Sequence, residues 1–219
     1  MITLDSRLSL CASFVRQDSK LADIGTDHAY LPVWLCQNGV CKSAVAADIN
    51  PEPLSRGQLT IAQAGLEDKV KTRLSDGLKS ISADEADDIV IAGMGGELIA
   101  KIILDCEYSR DKSKRFILQP MTKSELLIER LCQNGFEILS QDCCVASNKC
   151  YTVLLIQYSG EKRAYSEVYP YICELKPKEN ETHLRFIKAH IERLLKKANG
   201  DASFAVLAEK LKESIYGDC

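Results

Sequence analysis

Four short stretches carry residue types from which a site for a small charged ligand can be built: Asp23-Ile-Gly-Thr-Asp-His28, Asp48-Ile-Asn50, Asp76-Gly77 and Gly93-Met-Gly-Gly96. Each follows an apolar run that reads as a strand. In open α/β sheets ligands sit beyond the carboxyl ends of the strands, near the point where strand order reverses. Gly25 offers a turn at which a ligand can touch backbone. Asp48 is placed to accept hydrogen bonds from two ribose hydroxyls, with Asn50 beside it. Asp76, next to Gly77, is placed to accept the exocyclic amine of an adenine.

A dinucleotide site would instead need G-x-G-x-x-G, in which a helix N-terminus receives a pyrophosphate. Asp27 stands where the second glycine of that pattern belongs. Its carboxylate repels a diphosphate and tolerates an amine or a sulfonium, so the electrostatics favour S-adenosylmethionine over NAD. Asp23, Gly25, Asp27, Asp48, Asn50, Asp76, Gly77, Gly93, Met94 and Gly95 are its candidate contacts. Any one of these aspartates can instead cap a helix or turn. Their joint placement after successive strands is what points to a ligand.

Strands and helices in alternation must hold these groups. Leu21–Ile24, Ser43–Asp48, Val70–Ser75, Asp88–Ala92 and Arg115–Gln119 read as five strands, the last stopped by Pro120. A helix opens the chain, with Leu4, Leu8, Cys11, Ala12 and Val15 on one face and Asp5 or Ser6 as cap. Further helices are expected around Tyr30–Gln37, from Pro51 or Pro53 to Gly65, and over Ser124–Asn134. Phe136–Val145 and Tyr151–Gln157 follow one another without a helix between, which predicts antiparallel neighbours. Beyond Gly160, Leu184, Ile187, Ile191, Leu194 and Ala198 recur with 3-4-3-4 spacing. Asn199-Gly200-Asp201 breaks the pattern, and Phe204, Leu207, Leu211 and Ile215 resume it. This predicts a helical hairpin too small to bury a core alone, which must also lean on the α/β part.

The 219 residues are 46% hydrophobic and 27% charged, with net charge −3. That composition excludes a disordered chain and a globally basic one, so nucleic acid, if bound, must meet a local patch. No apolar run reaches the ~18 to 20 residues of a membrane helix, and Met1 to Arg7 does not resemble a signal peptide, so a cytoplasmic protein with no membrane partner is expected. The ten cysteines contain no Cys-x-x-Cys and only three histidines accompany them. They are expected to be mostly small buried hydrophobes, with neither a disulfide framework nor a metal site. A monomer is the simplest oligomeric expectation.

Asp23-Ile-Gly-Thr-Asp-His-Ala-Tyr-Leu-Pro32, Ile91-Ala-Gly-Met-Gly-Gly96, Leu118-Gln-Pro120 and Lys149-Cys-Tyr151 together resemble the TrmK family. These are bacterial tRNA methyltransferases that modify N1 of adenine 22 with S-adenosylmethionine. The resemblance spans Leu4 to Gln157 and weakens across the C-terminal helices. It implies a Rossmann-like class I methyltransferase domain over residues 1–159, with a seven-stranded, mostly parallel sheet. It also implies a coiled-coil-like helical domain over 160–219 that helps hold tRNA. The Asn/Asp-Pro-Pro-Tyr motif of exocyclic-amine methyltransferases is absent after the fourth strand, which argues against chemistry at N6.

Adenine N1 carries an in-plane lone pair and attacks the methyl without first losing a proton; the product ring is cationic. Such an enzyme needs in-line placement, negative charge near the ring, and an unpaired or flipped target base. Asp27 is the candidate electrostatic partner of the adenine, or else of the methionine amine. His28 is a candidate donor to the substrate or a structural residue, and Tyr151 a base-stacking residue or an ordinary strand tyrosine. Met94 is a candidate for the pocket wall. Arg110, Lys112, Lys114, Arg115 and Lys123 flank the fifth strand. Arg185, Lys188 and Arg193, together with His183, His190, Lys196 and Lys197, give the first C-terminal helix a basic bias. Both groups are candidate phosphate contacts. The alternatives are a methyltransferase for a small molecule or protein, or a cofactor-dependent RNA-binding module without turnover.

Overall fold

The computed structural model describes residues 2–162 and 164–217; Cys219 lies outside them. Seven strands form one sheet: β1 (Ser19–Ile24), β2 (Cys41–Asp48), β3 (Val70–Leu74), β4 (Asp88–Gly95), β5 (Arg115–Thr122), β6 (Phe136–Ala146) and β7 (Lys149–Tyr158). Their order is β3-β2-β1-β4-β5-β7-β6. Only β7 runs against the rest, antiparallel to both β5 and β6. Strand order reverses between β1 and β4, which pair in parallel from Leu21↔Asp88 to Ile24↔Ile91. This is the switch point of a Rossmann-like, doubly wound sheet.

The central strands read as unbroken apolar runs because both of their faces are covered. On one face Ile24, Ile89, Ile91, Phe116 and Leu118 pack under α4 (Gly96–Leu104) and α5 (Ser124–Gln133). On the other, Leu21, Ala46, Val90 and Ile117 pack under α1 (Ser6–Ser13), α2 (Tyr30–Gln37) and α3 (Pro51–Ala64). Asp5 caps α1, accepting from the Leu8 N–H at 2.9 Å. Gly65 closes α3 in the left-handed conformation, as its position predicts.

Two local expectations are corrected. Pro120 does not stop β5, which continues to Thr122. Beyond Ala92 the ladder to β4 is bulged, with Met94 opposite Pro120 and Gly95 opposite Thr122, and a bulge accommodates a residue without an N–H. Helix α4 was not anticipated, although Leu98, Ile99, Ile102 and Ile103 carry helical spacing. Its first residue, Gly96, passes so close to β5's exit that a Cβ there would lie 2.3 Å from the Lys123 carbonyl oxygen.

After a single turn, α6 (Tyr169–Ile172), the chain forms α7 (Glu181–Lys197) and α8 (Ser203–Tyr216), the expected hairpin. Phe186, Ile187, Ile191 and Leu194 of α7 meet Ala208, Leu211 and Ile215 of α8 in a third core, which Cys143 of β6 joins. Truncating a buried leucine here costs about 2–5 kcal/mol. Of the nine described cysteines, six are buried and three half-buried, all as free thiols.

A crevice at the carboxyl ends of the strands

The ends of β1, β4 and β5 open into a cavity of about 400 Å³, closed on one side by α1 and α2. Its floor is backbone: Gly25 and Gly93 both hold φ near +79°, which only glycine adopts at little cost. The Gly25 and Thr26 N–H groups donate to the Ala47 carbonyl at 2.8 and 3.0 Å, fixing the turn to β2. Gln119, buried at the end of β5, accepts from the Gly93 N–H at 3.2 Å and donates to the Pro120 carbonyl at 3.0 Å. This residue escaped the sequence reading, although it stands within Leu118-Gln-Pro120.

Asp23 lies deep in the crevice. Burial pushes its carboxyl up to about 6, against a hydrogen bond with Thr26 and with help from the nearby charge of Asp48. Asp27 sits at the mouth, with a side chain 67% exposed. Its carboxylate accepts from the Arg56 guanidinium of α3 at 2.8 Å and stands 3.6 Å from His28 Nε2. The partnership raises the pKa of Arg56, with Asp27 as first cause. The N-cap of α2 is Ala29, without a side-chain cap, so Asp27 is no helix cap. His28 stacks on Tyr30 with ring centroids 5.0 Å apart and planes 8° from parallel. Arg56 could have been suspected from its i, i+4 spacing to Glu52, but its reach to Asp27 depends on how α3 packs.

Tyr151 is placed not in this crevice but in an adjoining one, also of about 400 Å³, between α1 and the tip of the β6–β7 hairpin. Asp5 and Arg7 line both cavities. The Arg7 guanidinium lies over the Tyr151 ring, 5.5 Å from its centroid. Neither Asp5 nor Arg7 was singled out as a ligand contact from sequence, because nothing local distinguishes them from an ordinary helix start.

The remaining ligand candidates follow the strand ends outward. Asp48 is half-buried beside the Gly25 turn and accepts from the Asn50 N–H at 2.7 Å. Asp76 is exposed, paired with Lys79 at 2.6 Å, and lines a different cavity between the end of β3 and α4. A Cβ on Gly77 would stand 3.0 Å from Ile102. Met94 turns back over Gly25, its terminal methyl occupying the space a Cβ there would need. Gly95 ends β4 next to Thr122, on the bulged side. The crevice therefore joins Asp23, Gly25, Asp27, His28 and Gly93, while Asp48, Asn50, Met94 and Gly95 stand outside its lining and Asp76 and Gly77 belong to another part of the edge.

The basic candidates divide between opposite edges of the sheet. Arg110, Lys112, Lys114 and Arg115 surround the amino end of β5, about 25 Å from its carboxyl end at ~3.3 Å per residue. Lys114 is not available to a phosphate: it is 6% exposed and its ammonium donates to the Ala83 carbonyl at 2.6 Å. Lys123 is at the carboxyl edge, paired with Glu97. Arg185, Lys188 and Arg193 are exposed on α7, and Arg185 donates to the Asn148 carbonyl at the hairpin tip at 2.7 Å. His183 and His190 do not belong to the basic face. Both are buried, against Asp142 of β6 and Ser124 of α5 respectively.

The crevice pairs acidic groups with the cation of Arg7 over a glycine floor. That charge set suits a zwitterionic ligand and opposes a diphosphate. The family described as "Methyltransferase domain" matches residues 4–154. A tRNA (adenine(22)-N(1))-methyltransferase of Bacillus subtilis (strain 168) is 34% identical over 170 residues, covering 76% of this chain and 70% of its own. A Streptococcus pneumoniae protein solved in complex with S-adenosyl-L-methionine superposes with a TM-score of 0.88 at 29% identity, covering 98% of this chain and 100% of that one. The B. subtilis m1A22 tRNA methyltransferase TrmK gives 0.81 at 26% identity, covering 98% and 97%.

Proposed function

Because the chain belongs to the methyltransferase-domain family, and within it to the TrmK-type tRNA (adenine-22-N1)-methyltransferases, we propose that it methylates N1 of adenine 22 in tRNA, in the cytoplasm where that substrate is found. The observation that carries the reading is the carboxyl-edge crevice, charged and glycine-floored, opening beside a second cavity that holds an aromatic ring. S-adenosylmethionine, when bound, supplies an electrophilic methyl group on a sulfonium.

Asp48 is the residue to hold the ribose hydroxyls, and Asp23, deep in the crevice, the one to face the methionine amine. Met94 must swing off Gly25 to admit a ligand, which its flexible side chain permits. The target base supplies its own nucleophilic lone pair, so no side chain has to remove a proton before attack. The protein's work is then placement and charge. Asp27 at the mouth offers a carboxylate to the ring as it becomes cationic, and the stacked His28–Tyr30 pair forms a flat surface beside it. Tyr151 offers a ring on which the extruded base can stack. Lys123, Arg185, Lys188 and Arg193 on the same edge supply phosphate contacts for the tRNA body.

Labelled methyl transfer to tRNA transcripts tests this. Incorporation should require adenine at position 22, and reverse transcription should stop there because N1 methylation blocks the pairing edge. Incorporation into a transcript with guanine at 22, or none despite cofactor binding, overturns the proposal; the second result would point to a binding module without turnover.

A further inference from the structure

Among the groups lining the carboxyl-edge crevice the carboxylates are Asp5, Asp23 and Asp27, so a zwitterionic ligand needs a cation on the facing wall. Arg56 is engaged by Asp27 and Glu52, each at 2.8 Å. Arg7 is the cation that remains. Its Nε and Nη2 both donate to one oxygen of Asp5, at 3.1 and 2.7 Å, and among the described residues its Nη1 donates only to the Met121 sulfur, at 3.3 Å. A guanidinium has five N–H donors and thioether sulfur is a weak acceptor. Arg7 thus keeps donors for an anion, in the fork geometry that matches a carboxylate.

The side chain is also held from behind. The second Asp5 oxygen caps the Leu8 N–H, and the Ser6 hydroxyl donates to the Val145 carbonyl at 2.7 Å, clamping the start of α1 to the β6–β7 hairpin. The guanidinium then lies over Tyr151 within cation–π range. One planar group therefore borders both cavities. We infer that Arg7 is a two-sided positioning residue: it binds the α-carboxylate of the cofactor's methionine moiety and, through its stack on Tyr151, orders the wall against which the extruded adenine rests. The inference builds on the methyltransferase reading. It implies that cofactor and tRNA bind cooperatively, since a carboxylate that fixes Arg7 also fixes Tyr151, and such coupling is reciprocal.

Calorimetry with S-adenosylmethionine and its decarboxylated analogue, which keeps the amine, sulfonium and adenosine, tests it. The wild-type chain should bind the analogue roughly 10- to 100-fold more weakly, the range for losing hydrogen bonds to a charged group. Arg7→Ala should bind both compounds alike, and Arg7→Lys should recover part of the discrimination. With saturating cofactor, Arg7→Ala and Tyr151→Ala should each raise the KM for tRNA, and the double variant should be little worse than either alone. Equal binding of the two compounds by the wild-type chain, or undiminished discrimination in Arg7→Ala, overturns this inference alone. Failure of the wild-type chain to bind either compound overturns the methyltransferase reading and the inference with it.

Discussion

Asp23, near the end of β1, and Asp27, in the turn that follows, stand four residues apart, yet their solvation divides their roles. Asp23 is enclosed, and burial pushes its carboxyl up to about 6, a cost that a cationic amine placed beside it would offset. Asp27 is exposed at the mouth and shares its charge with Arg56. Negative charge there counts most when the adenine ring becomes cationic, that is, more in the transition state than in the ground state. Asp27→Asn should therefore lower the single-turnover methylation rate by roughly 10²-fold, the scale for losing one electrostatic contact in a preorganised site, with cofactor affinity nearly unchanged. If affinity falls instead and saturating cofactor restores the rate, Asp27 belongs to the methionine amine.

At the scale of elements, α7 is attached by two buried imidazoles, each hydrogen-bonded to the α/β part of the chain. His183 accepts from the Lys176 N–H at 3.0 Å through Nδ1, which leaves the Nε2 proton for Asp142 at 2.8 Å. His190 lies against Ser124 at 3.3 Å and between the rings of Tyr171 and Phe186. Burial first, then the charges of Arg193 and Lys197, push its pKa down to about 3. Glu125 stands 4.0 Å away, a contact with a neutral ring rather than an ion pair. The unfolded chain protonates this histidine below pH about 6.5 while the fold resists until about 3, so protons favour unfolding across that window. Stability should rise with pH between those limits, by at most about 1.4 kcal/mol per pH unit from this group. Urea midpoints measured from pH 4 to 7 should show a shallower slope for His190→Gln than for the wild-type chain. Parallel slopes would mean that His190 titrates in the fold as it does in the unfolded chain.

At the scale of the whole molecule, the fold places two basic groups at opposite edges of the sheet. Lys188 and Arg193 sit on a helix fastened along the carboxyl edge, the edge that carries the crevice, whereas Arg110 and Lys112 lie at the opposite edge. Lys188→Glu with Arg193→Glu should weaken tRNA binding and flatten its salt dependence, each lost phosphate contact reducing the slope by nearly one. The same reversals at Arg110 and Lys112 should leave both quantities nearly unchanged. Filter binding across a salt series distinguishes the two edges, and equal losses at both would place tRNA on a broader surface than the carboxyl edge.

Much of the architecture was legible because it rests on local pattern. Doubly covered runs such as Ile89–Ala92 are apolar throughout, a two-helix seam must repeat every three to four residues, and Gly65 must end a helix where φ turns positive. The acidic loops at the strand ends were legible for the same reason, since each follows its own strand. Tertiary structure alone decided which of those loops line one cavity: that of Asp27 with that of Gly93, but not those of Asp48 and Asp76. It alone brought Arg56 to Asp27 and Arg7 to Tyr151, turned Lys114 inward, and buried the two histidines of a helix that reads as basic along its length. The physical reason is range. Propensity, capping and periodicity act over a turn or two of chain, whereas strand order and the docking of α1 and α7 are set by how whole faces pack, and no short stretch of residues encodes the partner it will meet more than a hundred positions away.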